Sequence, residues 1–200
     1  MGVEFIVIGS ELRNALHAEN PTHFKELIGP DTVSECLAFC EDEEALVLRA
    51  LSLQTLSMYN SNFAQTGNKV IFPKNLGELT DVRGQGTYGG YTIGAVEGLS
   101  AAVNGLRVAL GELYSPHEVS AGVYISETGD AVFPPHPDGN PVLAVQLKGS
   151  KRFGFPEFEA GAALEPGDGL FIPEGVVHST TTVRDSVHLC IDILPQDFFN

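Results

Sequence analysis

The sequence has no tryptophan, only three cysteines and few basic residues for its length. Its 200 residues include 11 Lys and Arg against 26 Asp and Glu, which gives a formal charge of −15. Nucleic-acid binding normally requires clustered Lys and Arg, because their contacts with phosphates release counterions. The chain has no dense basic run, so we expect no nucleic acid and no anionic membrane surface as a partner. The acidity favours a basic partner, although it also serves solubility.

Long apolar segments are missing as well. The apolar run Phe5–Ile8 is too short for the core of a signal peptide, and no stretch approaches the length that spans a membrane. Cys36, Cys40 and Cys190 are an odd number without the spacing of a disulfide framework, which is typical of reduced thiols. These features predict a cytoplasmic protein. They leave its oligomeric state open.

The chain is rich in turn-forming residues, with 22 Gly and 12 Pro, and 43% of it is apolar. From about Glu118 onward, short apolar runs alternate with Gly and Pro turns, one of them at Pro166-Gly167. Regular short strands of this kind are typical of a barrel or jelly roll. The predicted strands are 122–126, 142–147, 152–155, 169–172 and 186–194.

The first half of the chain has helical patterns instead. Helices are predicted at Thr22–Ile28, from a capping box at Thr32–Glu35 to about Cys40, at Glu43–Leu53 and at Thr92–Leu110, with a short strand at Lys69–Phe72. The expected fold is mainly β with flanking helices. Residues 1–85 form an α-rich N-terminal segment that packs on a β-barrel core of residues 86–200, and the two together make one compact domain.

Two histidines and one aspartate form the most informative pattern. In His136-Pro137-Asp138, alternate residues of an extended segment point the same way, so both side chains can reach one ion. His178 follows a predicted strand and turn, and opposed strands of a jelly roll would bring it to the same place. Two imidazoles and one carboxylate are the ligand set of non-haem Fe(II) oxygenases. The absence of thiolates argues against a structural zinc site.

Two longer motifs extend this pattern. They are PPHPDGNPVLAVQLKGSKRF at Pro134–Phe153 and LEPGDGLFIPEGVVHS at Leu164–Ser179. With these motifs, the segment Thr87–Ile193 resembles the JmjC/cupin-like Fe(II)- and 2-oxoglutarate-dependent oxygenases, a group that includes ribosomal-protein hydroxylases and the asparaginyl hydroxylase of the hypoxia response. The resemblance implies a double-stranded β-helix (jelly roll, cupin-like). It also implies a dioxygenase that hydroxylates a C–H bond and releases succinate and CO2.

The resemblance assigns roles to individual residues. His136, Asp138 and His178 would be the iron ligands. Lys151 would bind the far carboxylate of 2-oxoglutarate, since a dianion inside a barrel needs a buried cation, and the hydroxyl of Tyr124 would bond the same carboxylate. The competing interpretations make Lys151 an exposed turn residue and Tyr124 part of the core.

The last predicted strand places three further side chains on one face, His188, Cys190 and Asp192. In relatives, a polar residue near Asp192 approaches the other carboxylate of 2-oxoglutarate, so the resemblance assigns Asp192 to the cosubstrate. An anionic side chain there would repel that carboxylate. The roles of His188 and Cys190 stay open.

Three functions are compatible with these residues. The leading hypothesis is a hydroxylase acting on an amino-acid side chain, either free or within a peptide or protein, or on a small metabolite. The first alternative is a metal-dependent cupin enzyme that does not use 2-oxoglutarate. The second alternative is a non-catalytic cupin that serves as a binding or sensor protein.

Overall fold

A computed structural model describes residues 9–60, 70–84, 88–98, 100–129, 133–158 and 161–196. The α-helices in this part of the chain are α1 (Gly9–Ala15), α2 (Pro30–Leu37), α3 (Glu43–Leu53), α4 (Leu76–Gly84) and α5 (Ala101–Tyr114), and short 3-10 helices lie at Ala38–Cys40 and Val96–Gly98. Among the described residues, no helix has both the length and the apolar character needed to cross a membrane.

The strands are β1 (Thr22–Phe24), β2 (Leu56–Asn60), β3 (Val70–Ile71), β4 (Tyr88–Ile93), β5 (Glu118–Ser126), β6 (Phe133–His136), β7 (Val142–Gly154), β8 (Ala162–Leu164), β9 (Gly169–Ile172) and β10 (His178–Leu194). They form one sheet in the order β1-β9-β7-β10-β5-β4-β2-β3, while β6 pairs with β10 and β8 with β7. Neighbouring strands are antiparallel. The predicted mainly β fold with flanking helices is confirmed.

The central strand β10 separates the apolar core from a polar cavity. Leu189, Ile191 and Ile193 are fully buried in the main core, and the residues between them point to the opposite face. Each fully buried Leu or Ile contributes roughly 1.5–3 kcal/mol to folding. Helix α5 covers the same core with an apolar stripe that includes Leu106 and Leu110. The face of β10 that carries polar side chains is therefore held in place by the core behind it.

The helix predicted at Thr22–Ile28 is wrong, because Thr22–Phe24 forms strand β1 and pairs with β9. The local signal for this helix was the pair Asn20-Pro21, with asparagine as N-cap and proline in the first turn, and pairing with a distant strand overrides it. Helix α2 begins at Pro30, with Gly29 as its N-cap, rather than at the predicted capping box; proline is well suited to a first helical turn. The division of the chain into residues 1–85 and 86–200 stays a prediction.

The helix predicted at Thr92–Leu110 is confirmed only in its C-terminal part. Thr92 belongs to β4, and α5 begins only after Ser100, whose hydroxyl accepts a hydrogen bond from the amide of Val103. The helix also continues past Gly111 to Tyr114. The predicted helix at Glu43–Leu53 and strand at Gly169–Ile172 are confirmed. The strands predicted at 142–147 and 152–155 are one continuous strand, β7.

Candidate metal and cosubstrate site

The two histidines and the aspartate predicted as metal ligands lie together. His136 ends β6 and is the direct partner of His178 at the start of β10. Asp138 lies between them, with Oδ1 3.7 Å from Nε2 of His136 and Oδ2 3.6 Å from Nε2 of His178. One ligand atom from each residue lies within 4.8 Å of the others. The amide of Gly175 donates to the carbonyl oxygen of Asp138 at 3.0 Å, which fastens the Asp138 loop to the turn before His178.

A backbone contact orients the imidazole of His178. Its Nδ1 lies 3.1 Å from the carbonyl oxygen of Val176. A carbonyl only accepts hydrogen bonds, so Nδ1 carries the hydrogen and the lone pair of Nε2 faces Asp138. Burial lowers the pKa of His178 below its usual value, with a further contribution from His136, against the opposing effects of Val176 and Asp138. The neutral imidazole is the form that binds metals.

A cavity of about 240 Å³ adjoins the three candidate ligands. Its polar lining includes Tyr124, Lys151, Thr180 and the β10 side chains of His188, Cys190 and Asp192. Its apolar lining is formed by Val142, Ala144, Phe153 and Ile172. The alternation predicted for His188, Cys190 and Asp192 therefore places all three in the same cavity as the candidate ligands.

Lys151 is buried in this cavity, with only 1% of its surface exposed. It lies within strand β7, opposite Thr182 of β10, so the interpretation as an exposed turn residue is wrong. Its Nζ lies 3.5 Å from Oγ of Ser126, and that hydroxyl is 2.8 Å from the hydroxyl of Thr182. The Nζ atom also lies 6.0 Å from the centre of the Tyr124 ring. The ammonium group is thus held by Ser126 of β5, whose hydroxyl is in turn hydrogen-bonded to Thr182 of β10.

Tyr124 lies on β5, directly opposite His188 of β10. Its ring stacks on His188 with 5.0 Å between the ring centres, and its hydroxyl is hydrogen-bonded to the thiol of Cys190. Burial raises the pKa of Cys190 well above its usual range, and the carboxylates of Asp192 and Asp138 add to this effect. The thiol therefore stays protonated at neutral pH. The predicted role of Tyr124 toward a carboxylate stays a prediction.

Asp192 holds a second carboxylate in the cavity, besides that of Asp138. It accepts a hydrogen bond from Nδ2 of Asn140 at 3.1 Å. Burial raises the pKa of Asp192, as does the charge of Asp138, while the bond from Asn140 opposes the change. The assignment of Asp192 to the cosubstrate stays a prediction.

Two buried polar atoms of the cavity residues have no hydrogen-bond partner within the described part of the chain. They are Nδ1 of His188 and Oγ1 of Thr180, in residues that are 4% and 6% exposed. Sequence reasoning did not single out Thr180, although it alternates with His178 and Thr182 along β10. The ligand set and these two atoms fit a metal ion accompanied by a polar, anionic molecule.

Asp168, which belongs to the Leu164–Ser179 motif, lies outside the cavity lining. Its carboxylate accepts hydrogen bonds from Nζ of Lys25 at 2.6 Å and from the amides of Glu26 and Glu165 at 3.1 Å. Burial works against ionisation, but these bonds hold the pKa of Asp168 below its usual value. The residue ties β1 to the sheet, so its role is structural.

Comparisons with known proteins point to one group of enzymes. No family model matches the chain. The chain is 33% identical over 85 residues to the bifunctional lysine-specific demethylase and histidyl-hydroxylase NO66 of Branchiostoma floridae, covering 40% of this chain and 13% of that protein. It is 31% identical over 102 residues to ribosomal oxygenase 2 of Rattus norvegicus, covering 40% of this chain and 22% of that protein.

Solved structures extend the likeness to nearly the whole chain. The X-ray structure of Escherichia coli YcfD matches with a TM-score of 0.74 and 18% identity, over 98% of this chain and 55% of that one. A structure of YcfD, named there as a ribosomal oxygenase, in complex with cobalt and 2-oxoglutarate matches with a TM-score of 0.70 and 19% identity. This match covers 96% of this chain and 53% of that one. The fold is that of YcfD. The predicted cupin-like jelly roll and the resemblance to this group are confirmed, while the chain spans about half of YcfD and less of the other two relatives.

Proposed function

We propose that this chain is an Fe(II)- and 2-oxoglutarate-dependent oxygenase that hydroxylates a C–H bond of an amino-acid side chain. The observation that carries the proposal is one cavity lined both by the cluster of His136, Asp138 and His178 and by the buried ammonium group of Lys151. A buried ammonium group that lines this cavity offers a cationic binding point to an anion there, because charge-assisted hydrogen bonds are strong where water is excluded. The names of the relatives and the YcfD complex with cobalt and 2-oxoglutarate support the same chemistry.

In this proposal the two imidazoles and the carboxylate hold Fe(II). A ligand set of two histidines and one carboxylate leaves adjacent coordination positions open. When bound, Fe(II) and 2-oxoglutarate, together with O2, supply the oxidising chemistry that hydroxylates a C–H bond, with succinate and CO2 as the other products. The chain presents a neutral His178, whose ring is fixed by the carbonyl of Val176, and an Asp138 carboxylate shared between both histidines.

Lys151 binds the far carboxylate of 2-oxoglutarate. Its position on β7, and the hydroxyls of Ser126 and Thr182, keep the ammonium group inside the cavity before any ligand arrives. This preorganisation lowers the entropic cost of binding. The apolar lining, which includes Phe153 and Ile172, excludes water from the space between the ammonium group and the metal ligands.

A basic side chain within a protein is the substrate that the charges favour. The chain has a formal charge of −15, and Asp192 adds a carboxylate to the cavity wall beside the candidate metal ligand Asp138. A cationic group entering the cavity would be attracted by this field. The named relatives are a histidyl-hydroxylase and a ribosomal oxygenase, which also points to a protein substrate. A small metabolite is the alternative substrate.

The test is anaerobic reconstitution with Fe(II), followed by addition of O2, 2-oxoglutarate and candidate basic peptides. We expect one Fe(II) per chain, succinate formation, and a peptide heavier by one oxygen atom. Folded protein that binds no Fe(II) at stoichiometric levels would overturn the proposal. Protein that binds Fe(II) but not 2-oxoglutarate would support the metal-dependent cupin enzyme instead.

A further inference from the structure

The two unpartnered polar atoms of the cavity identify further residues of the cosubstrate site. Resting on the proposed function, we infer that Nδ1 of His188 and the hydroxyl of Thr180 donate hydrogen bonds to the far carboxylate of 2-oxoglutarate, beside Lys151. A buried polar atom without a partner is costly and rare in native proteins. Here two such atoms belong to residues lining one cavity. A single anionic group can accept hydrogen bonds from both.

The position of Thr180 supports this role. Thr180 and Thr182 are two residues apart on β10, so their side chains point to the same face of the sheet. The two positions are about 7 Å apart along the strand. Thr182 is the residue opposite Lys151, and its hydroxyl bonds the serine that Lys151 contacts. Thr180 itself lies opposite Phe153, the next residue of β7 on the cavity side. The hydroxyl of Thr180 therefore lies between the ammonium group and His178 along the strand.

The position of His188 places its imidazole near the same ammonium group. The rings of His188 and Tyr124 are stacked, and Nζ of Lys151 lies 6.0 Å from the centre of the Tyr124 ring. Phe153 packs edge-on against His188, with ring centres 6.3 Å apart, so the imidazole is fixed from two sides. Burial, and then the charge of Lys151, holds the pKa of His188 well below its usual range. A neutral imidazole with hydrogen on Nδ1 donates to a carboxylate without adding a second buried charge.

The experiment compares two ligands that differ only at the far end. Co(II)-loaded protein is titrated calorimetrically with 2-oxoglutarate and with 2-oxopentanoate, in which a methyl group replaces the far carboxylate. We expect Thr180→Val and His188→Phe each to weaken 2-oxoglutarate binding roughly tenfold, the effect of one hydrogen bond to a charged group. Binding of 2-oxopentanoate should stay unchanged. Thr181→Val is the matched control, because Thr181 is exposed on the other face of the same strand.

A second readout avoids substitution altogether. In Zn(II)-loaded protein labelled with ¹⁵N-histidine, the Nδ1 resonance of His188 should report a protonated nitrogen and shift with 2-oxoglutarate but not with 2-oxopentanoate. If the Thr180 and His188 variants lose affinity for both ligands equally, or for neither, the two residues do not contact the far carboxylate. Failure of the wild-type protein to bind 2-oxoglutarate would instead overturn the proposed function itself, and the two failures are thereby distinguished.

Discussion

The Nε2 atom of His178 lies 3.6 Å from Oδ2 of Asp138, although strand β10 carries the first residue and the loop after β6 carries the second. The same carboxylate approaches His136 with its other oxygen. We therefore expect Asp138→Asn to weaken Co(II) binding at least roughly a hundredfold, because an amide supplies neither the charge nor the basicity of a carboxylate. Co(II) absorbance and the metal-induced rise in Tm measure the effect.

Glu174→Gln is the control for this change. Glu174 is exposed on the turn just before His178, so its substitution removes one negative charge close to the cluster without removing a proposed ligand. It should leave Co(II) affinity nearly unchanged. A comparable loss in both variants would mean that general charge, and not ligation by Asp138, holds the metal.

Removal of the buried ammonium group distinguishes the proposed function from a cupin that does not use 2-oxoglutarate. Lys151→Met keeps the length and the apolar stem of the side chain, so we expect Co(II) binding to persist. Binding of 2-oxoglutarate should fall roughly a hundredfold, since a charge-assisted contact in a dry site is lost. Calorimetry with 2-oxoglutarate measures the difference, and Lys148→Met is the matched control because Lys148 is an exposed residue of the same strand. Unchanged affinity in Lys151→Met would favour a cupin that does not use this cosubstrate.

The candidate site could be predicted because its residues follow local rules. His136 and Asp138 are two residues apart, and His188, Cys190 and Asp192 alternate along a strand, so their common orientation follows from the period of two. The burial of Lys151 was implied by the resemblance to the oxygenases. The roles of these residues toward a metal and a cosubstrate stay predictions.

The rest depends on contacts between distant parts of the chain, which a local pattern does not contain. The local sequence predicts that Thr22–Phe24 begins a helix, yet this segment pairs with β9. Hydrogen bonds from Lys25 and Glu26, which follow the strand, to Asp168 hold it in place. Thr180 was missed because nothing in its neighbourhood in the sequence distinguishes it from Thr181 or Thr182. Only the packed structure shows that its hydroxyl is buried without a partner.

The carboxylate of Asp168 should stabilise the folded protein. Asp168→Asn replaces the acceptor of Lys25 and of two backbone amides by a neutral group. We expect the free energy of unfolding to fall by about 2 kcal/mol, mainly through the buried amide contacts because Lys25 is largely exposed. Urea unfolding measures the loss, and hydrogen exchange should be faster at Thr22–Phe24. Asp81→Asn, on an exposed position of α4, is the control and should change stability little.

The same variant gives a pH dependence with a definite sign. The pKa of Asp168 is lower in the folded protein than in the unfolded chain. The ionised carboxylate therefore stabilises the folded protein fully at pH values above its pKa in the unfolded chain, and this stabilisation is lost as the pH falls through its pKa in the folded protein. The stability difference between the wild type and Asp168→Asn should therefore be constant from neutral pH down to about pH 5 and shrink below about pH 4. A difference that grew on acidification would contradict this assignment.

Two glycines with similar backbone angles should respond very differently to substitution. Gly149 has φ +68° and Gly175 has φ +77°, in the left-handed region that disfavours other residues. Among the described residues nothing lies within 4 Å of a Cβ added at Gly175, whereas a Cβ at Gly149 would lie 1.9 Å from the carbonyl oxygen of Asp185. Gly175→Ala should therefore cost about 1–2 kcal/mol, the strain of the backbone angle alone.

Gly149→Ala should cost clearly more, because β7 and β10 must separate to admit the methyl group. Lys151 follows two residues later on the same strand, so displacement of β7 should also weaken 2-oxoglutarate binding, an effect absent in Gly175→Ala. Urea unfolding and calorimetric titration of both variants measure the two losses side by side. Equal destabilisation, with cosubstrate affinity intact in both, would show that the close contact between Gly149 and Asp185 does not position Lys151.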